Sequence, residues 1–148
     1  MKIGTDIVYI PRLKKILKNN HSFEKKIYTE KEIEISSKIK DPINFLATRF
    51  AAKEAIMKAT NCKYDFSEIE ILKDTDGKPL PNILTNDKLV IELSLSYDNE
   101  YAIATALVTQ KKQRWQDVVF SLNRFSFSRT KPLILEVSLF VWSYLNKQ

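Results

Sequence analysis

The run Arg49-Phe50-Ala51-Ala52-Lys53-Glu54-Ala55-Ile56-Met57-Lys58-Ala59 limits what this chain can become more than any other stretch. It has four alanines and neither glycine nor proline, so it predicts a helix. Ala51, Ala55 and Ala59 recur every fourth residue and therefore share a face. That face is smooth enough for another backbone to lie against it, while Phe50, Ile56 and Met57 supply bulk elsewhere. Glu54 and Lys58 stand one turn apart. Taken alone they are an ordinary surface ion pair, worth roughly a few tenths of a kcal/mol. A carboxylate distant in the chain would change their meaning.

The elements around this helix follow from local signals. Lys2 to Ile10 alternates and is β-branched, which predicts a strand carrying Asp6 among Ile3, Ile7, Val8 and Ile10. A charged carboxylate in that apolar setting needs a Lys, an Arg or a metal beside it. Pro11 ends the strand and opens a basic helix over Arg12–Asn19, followed by a connection in which His21 is expected to be a solvated loop residue. Thr29 and Glu32 form a capping box for a helix to about Ile39, with Ile33 facing inward. Asp41 and Pro42 cap and start the central helix, which runs to about Thr60 and has Phe45, Leu46, Phe50 and Met57 on its apolar side. Asn61 closes it, and Cys62 reads as a buried or idle thiol.

The second half is strand-like. Ile69 and Ile71 alternate with acidic neighbours, Asp74-Thr75-Asp76-Gly77-Lys78-Pro79 makes a hairpin turn, and Leu80 to Leu84 returns. Leu89 to Ser96 puts Leu89, Ile91, Leu93 and Leu95 on one face, and Asp98-Asn99 turns the chain. Tyr101 to Val108 places Ala102, Ala104 and Ala106 on one side, a match for the alanine face of the central helix. The predicted class is α+β: a strand, two or three helices, then an antiparallel meander, its sheet packed against the long central helix.

Composition excludes several functions. Two glycines in 148 residues leave no glycine-rich phosphate loop. One cysteine and one histidine build no Cys-cluster metal site, no disulfide and no His-based triad. No apolar run reaches the length of a membrane span, and Asp6 and Arg12 interrupt the apolar start, so a cytoplasmic protein without an integral membrane segment is expected. The net charge of +6 is uneven. Residues 110–148 hold seven Lys/Arg against two Asp/Glu, whereas Arg12, Lys14, Lys15, Lys18, Lys25 and Lys26 gather near the start with only Glu24 among them. Two short basic zones suit an acidic or phosphorylated partner, and no nucleic-acid motif accompanies them.

Four motifs in fixed order then carry a resemblance: Gly4-Thr5-Asp6-Ile7-Val8, Arg49-Phe50-Ala51-Ala52-Lys53-Glu54-Ala55 with Lys58-Ala59, Asp76-Gly77-Lys78-Pro79, and Leu93-Ser94-Leu95-Ser96-Tyr97-Asp98 followed by Tyr101-Ala102-Ile103-Ala104. Over about residues 1–108 the chain resembles the holo-acyl-carrier-protein synthases, small bacterial phosphopantetheinyl transferases. The resemblance implies transfer of 4′-phosphopantetheine from coenzyme A to a serine of apo acyl carrier protein, in a homotrimer with sites between protomers. It implies that Asp6 and Glu54 hold a Mg²⁺ at the coenzyme A diphosphate and that Lys58 reaches the same phosphates. Arg49 becomes a candidate for the 3′-phosphate or the carrier, and Gly77, Lys78, Pro79, Ser96 and Tyr97 for the nucleotide. Arg12, Lys15 and the rest of the basic helix match the surface meeting the acidic carrier. Two positions depart from the family pattern. Tyr97 stands where histidine is usual, leaving neighbouring Asp98 as the candidate proton acceptor, and the link 59–66 lacks the family's glycine loop. A carrier-protein or nucleotide binder without full turnover is the alternative those departures raise.

The expected organisation is a transferase domain over 1–109 and a basic, aromatic extension over 110–148, outside the resemblance. Within it Leu133 to Leu145 is strongly apolar, and burial against the body or a neighbouring subunit is favoured over a membrane-surface role.

Overall fold

Gly4 explains how the body is assembled. The computed structural model describes residues 1–85 and 88–111. The expectations placed on residues 112–148 fall outside that range, as does the side chain of His21. Strand β1 (Lys2–Tyr9) lies against helix α4 (Pro42–Thr60) so closely that a Cβ at Gly4 would sit 2.1 Å from the Ala55 carbonyl oxygen and 2.6 Å from the Ala59 nitrogen. Only glycine fits a backbone-on-backbone contact of that kind. The alanine face predicted from sequence is the surface that receives it, and Ala51, Ala55 and Ala59 are buried there.

Between β1 and α4 the chain forms α1 (Ile10–Asn19), α2 (His21–Ile27) and α3 (Glu30–Lys38). The helix α2 was not expected. Asn20 nucleates it by accepting from the Phe23 amide through its side chain, so His21 is the first residue of a helix rather than part of a loop. Thr29 caps α3 in the predicted capping box, and Asp41 caps α4, whose end is turned by Asn61 in the left-handed conformation.

The strands do not form one meander. After a 3₁₀ turn (Phe66–Glu68), β2 (Ile69–Lys73) pairs with β3 (Pro79–Ile83) as a separate two-stranded sheet. Strand β4 (Leu89–Asp98) and β5 (Tyr101–Gln110) join β1 in a three-stranded antiparallel sheet of order β1-β5-β4, with Asp6 opposite Ala104 and Ala104 opposite Leu95. Ala102, Ala104 and Ala106 are buried beneath α4, as their alternation predicts. Pro81 explains part of the division between sheets. It stands opposite Ile71 in a pair whose backbone groups point away from each other, so its missing N–H leaves no donor at that point on the outer edge of β3. The outward-facing groups of Ile71 are held by side chains: its amide donates to Glu32 Oε1 (3.0 Å) and its carbonyl accepts from Arg49 Nε (3.4 Å).

Glu70 is buried between Ile69 and Ile71, so β2 does not alternate as expected; Lys31 meets its carboxylate at 3.2 Å. Cys62 is exposed, not buried. Among the described residues no helix is long and apolar enough to cross a membrane.

Replacing Gly4 with alanine should destabilise the fold by about 3 kcal/mol, because the clash is with two backbone atoms that cannot swing aside. Urea unfolding followed by circular dichroism would measure it. Substitution at Gly77, whose surroundings are open although its φ is +82°, should lower the midpoint much less.

Candidate active site

The near contact of β1 with α4 brings Asp6, Lys58 and Glu54 together. Asp6 is on the inner face of β1, and Lys58 Nζ donates to Asp6 Oδ1 at 2.7 Å and to the Thr5 carbonyl at 3.1 Å. The sequence suggested a Glu54–Lys58 pair along the helix. The ion pair actually formed is Lys58–Asp6, across two elements. Burial raises the carboxyl of Glu54 above its usual pKa, Asp6's charge raises it further, and Lys58 opposes both. Two hard carboxylates that repel each other, half-buried beside a half-exposed ammonium, make a donor set suited to Mg²⁺. That ion takes one or two protein carboxylates and fills its other positions with water and phosphate. The absence of any cluster of three or more Asp, Glu, His or Cys among the described residues is compatible with this.

Arg49 is elsewhere. Five residues before Glu54 and nine before Lys58, it is rotated roughly 140° and 180° from them around α4. There it lines a pocket of about 510 Å³ with Tyr97, Lys73, Phe45, Leu72 and Ile39. Its guanidinium lies 3.8 Å from the Phe45 ring centroid, donates to Thr48 Oγ1 at 3.1 Å and bonds Ile71 as described. Burial pushes its pKa down, and the charge of Glu32 pulls it back up. Tyr97 is on β4 and Asp6 on β1, with β5 between, so about 10 Å of sheet separates their strands. Within one chain, the carboxylate pair and the Arg49–Tyr97 pocket occupy opposite flanks of α4.

The remaining predicted residues are dispersed. Ser96 and Asp98 alternate with Tyr97 and face the outer side of the sheet, Asp98 in the row of Tyr101 and Tyr9. Gly77, Lys78 and Pro79 form the turn beyond Lys73, braced by Asp74 Oδ1, which accepts from the Asp76 and Lys78 amides. Arg12 and Lys15 are exposed on α1, with Leu13 buried on its other side.

Sequence reasoning missed Lys53 and Glu32. Both are fully buried and 2.7 Å apart. Lys53 Nζ also donates to the carbonyls of Ile27 (2.7 Å) and Phe66 (3.0 Å), while Glu32 Oε2 accepts from the Thr29 amide at 2.9 Å. Burial lowers the pKa of the Lys53 ammonium against the pull of Glu32. The capping box located Glu32 in sequence and hid its second function, since an N3 glutamate is normally solvated.

Comparison with known proteins agrees with this geometry. Residues 2–106 match the family described as the 4′-phosphopantetheinyl transferase superfamily. Holo-[acyl-carrier-protein] synthase from Wolbachia sp. subsp. Drosophila simulans is 45% identical over 112 residues, spanning 72% of this chain and 95% of that protein. The corresponding synthase of Clostridium botulinum strain Eklund 17B is 40% identical over 118 residues, spanning 72% and 94%. The crystal structure of the Bacillus anthracis synthase in complex with CoA (3′,5′-ADP) superposes with a TM-score of 0.66 at 32% identity, covering 75% of this chain and 96% of that one. The Helicobacter pylori synthase in complex with coenzyme A gives a TM-score of 0.63 at 29% identity, covering 72% and 99%. The family match over residues 2–106, on an α+β body with this sheet on a long helix, defines a phosphopantetheinyl transferase. Within that superfamily the chain belongs to the holo-[acyl-carrier-protein] synthases.

Lys53→Met strands the Glu32 carboxylate in the interior and should cost about 3–5 kcal/mol. Pairing it with Glu32→Gln removes both charges, keeps an oxygen for the Ile71 amide, and should recover more than half of that loss. A double-mutant cycle by chemical denaturation tests the coupling.

Proposed function

We propose how the residues of this chain divide the work of transferring 4′-phosphopantetheine from coenzyme A to acyl carrier protein. The reaction moves a phosphopantetheinyl group from the coenzyme A diphosphate to a serine hydroxyl and releases adenosine 3′,5′-bisphosphate. The observation that carries the assignment is the meeting of Asp6, Glu54 and Lys58 where β1 touches α4. Asp6 and Glu54 would hold a Mg²⁺, which when bound neutralises charge on the diphosphate as the serine oxygen attacks. Lys58 is half-exposed, so its ammonium can exchange Asp6 for a phosphate oxygen and act as a mobile point charge.

We assign the pocket of Arg49 and Tyr97 to the 3′-phosphorylated adenosine, with the turn Gly77–Pro79 at its edge and Ser96 near by. Phe45, Leu72 and Ile39 supply apolar surface for a base, and Arg49 and Lys73 supply positive charge for a phosphate. Tyr97 contributes a hydroxyl where the family usually has histidine. Because this pocket and the metal pair lie on opposite flanks of one α4, one coenzyme A spans both only if they come from different copies. The outer sheet face supports such an assembly. Ile3, Ile7 and Ile103 are 69%, 59% and 42% exposed there, next to Tyr9, Tyr101 and Leu107. We assign that face to a homotrimer, in which Asp98 accepts the serine proton at a neighbour's metal pair. Arg12 and Lys15, exposed on α1 with Lys14 and Lys18, dock the acidic carrier protein. The free, exposed Cys62 suits a reducing compartment, and we place the reaction in the cytoplasm.

Intact-mass analysis of apo acyl carrier protein incubated with enzyme, coenzyme A and Mg²⁺ should show one added phosphopantetheine. Asp6→Ala and Glu54→Ala should each slow the gain by about a hundredfold or more, as should chelation of the metal. An unmodified carrier under conditions where a known synthase converts it would overturn the assignment for that carrier.

A mixture tests the shared site. At coenzyme A well below the wild-type KM, where Asp6→Ala subunits are inactive and Arg49→Gln subunits turn over only slowly, the mixture should regain about one quarter of wild-type activity after random exchange in a closed ring. No recovery despite demonstrated exchange would place both groups in one chain's own site. Ile103→Lys should yield monomers by sedimentation and abolish transfer.

A further inference from the structure

We propose that Glu32 is a positioning residue for the 3′-phosphate site, acting on Arg49 through the backbone of Ile71. The inference rests on the assignment of the Arg49 pocket above. The two backbone groups of Ile71 are gripped by different helices. Its amide donates to Glu32 Oε1 from α3, and its carbonyl accepts Arg49 Nε from α4. Ile71 is in a pair of the β2–β3 ladder whose backbone groups point away from each other, so its amide and carbonyl have no strand partner on that side and are held by side chains. Glu32 in turn is fixed by Lys53 at 2.7 Å and by the Thr29 amide at 2.9 Å. The result is one continuous chain, Lys53–Glu32–Ile71–Arg49, with buried side chains at every charged position.

The chain has an electrostatic consequence as well. The Glu32 carboxylate pairs with buried Lys53 and attracts buried Arg49, while buried Glu70 also acts on Lys53 and meets Lys31. Glu32 opposes the burial that depresses the ionisation of Arg49. Phe45 and Thr48 set the plane of the guanidinium from the other side. Arg49 therefore enters the pocket wall already oriented, and little side-chain freedom is lost when a phosphate binds. Glu32 touches no ligand. Its effect is to hold the carbonyl that fixes Arg49.

The test compares coenzyme A with 3′-dephospho-coenzyme A as donors to apo acyl carrier protein. Arg49→Gln defines the full loss of discrimination between them in kcat/KM. The double variant Glu32→Leu/Lys53→Met removes the ion pair and the oxygen that holds Ile71. It should lose discrimination at least fivefold, to within about twofold of Arg49→Gln, through the KM for coenzyme A and with kcat kept within threefold. Glu32→Gln/Lys53→Met restores an acceptor for the Ile71 amide and should recover most of the discrimination. Glu32→Asp keeps the charge but withdraws its oxygens by one methylene. It should show a smaller loss of the same kind, and it serves if the leucine variant fails to fold. Wild-type discrimination in folded Glu32→Leu/Lys53→Met, or in Glu32→Asp when only that variant folds, would overturn the proposal while leaving the pocket assignment standing. Wild-type discrimination in Arg49→Gln would overturn the pocket assignment, and the role of Glu32 with it.

Discussion

Everything that makes this body a transferase depends on two backbones lying almost in contact. Strand β1 can approach α4 only because Gly4 has no side chain and the facing helix residues are alanines. A strand held at ordinary distance by larger side chains would keep Asp6 away from Glu54 and Lys58. The same small-residue logic governs β5, whose three buried alanines let the helix settle on the middle of the sheet. Close packing here gives little hydrophobic area per residue, and its value is positional. It converts an exposed lysine and two carboxylates into a site.

The far side of α4 is organised by a different force. Lys53 and Glu32 are buried as an ion pair with every remaining polar contact satisfied, which is the condition under which such a pair is tolerated in an interior. Through Ile27, Phe66 and Ile71 the pair ties α2, the 3₁₀ turn and β2 to α3 and α4. An apolar pair of equal volume would fill the space and leave the Ile27 carbonyl and the amides of Thr29 and Ile71 without these partners. Charge was used here to join five segments through backbone groups that face away from any ladder.

The two flanks together account for the shape of the chemistry. Carboxylates and a mobile ammonium suit the reacting diphosphate, whereas a pre-oriented guanidinium in an apolar pocket suits a phosphate attached to a base. Under the proposed assignment, their placement on opposite sides of one helix calls for two chains at each site, and the exposed isoleucine-rich sheet face would bring the copies together.

Much of this was legible in the residues themselves. The alanine spacing, the caps at Thr29 and Asp41, the hairpin at Gly77 and the alternation of β4 and β5 depend on neighbours within a few positions, and all appear as expected. So does the need of Asp6 for a cationic partner, since an apolar strand cannot hold a bare carboxylate. Other features required the fold. The short α2 hung on one Asn20 cap, the split of the hairpin from the main sheet turned on Pro81 opposite Ile71, and Lys58 left its helical neighbour Glu54 for Asp6, more than fifty positions away. Lys53 and Glu32 each carried an ordinary local reading, one as a helix former and the other as half of a capping box. Local sequence determines which residues can form an element and which face they turn inward. Which charges meet in the interior is decided only when distant elements pack, because burial makes the pairing of a charge obligatory and only the tertiary structure supplies the partner.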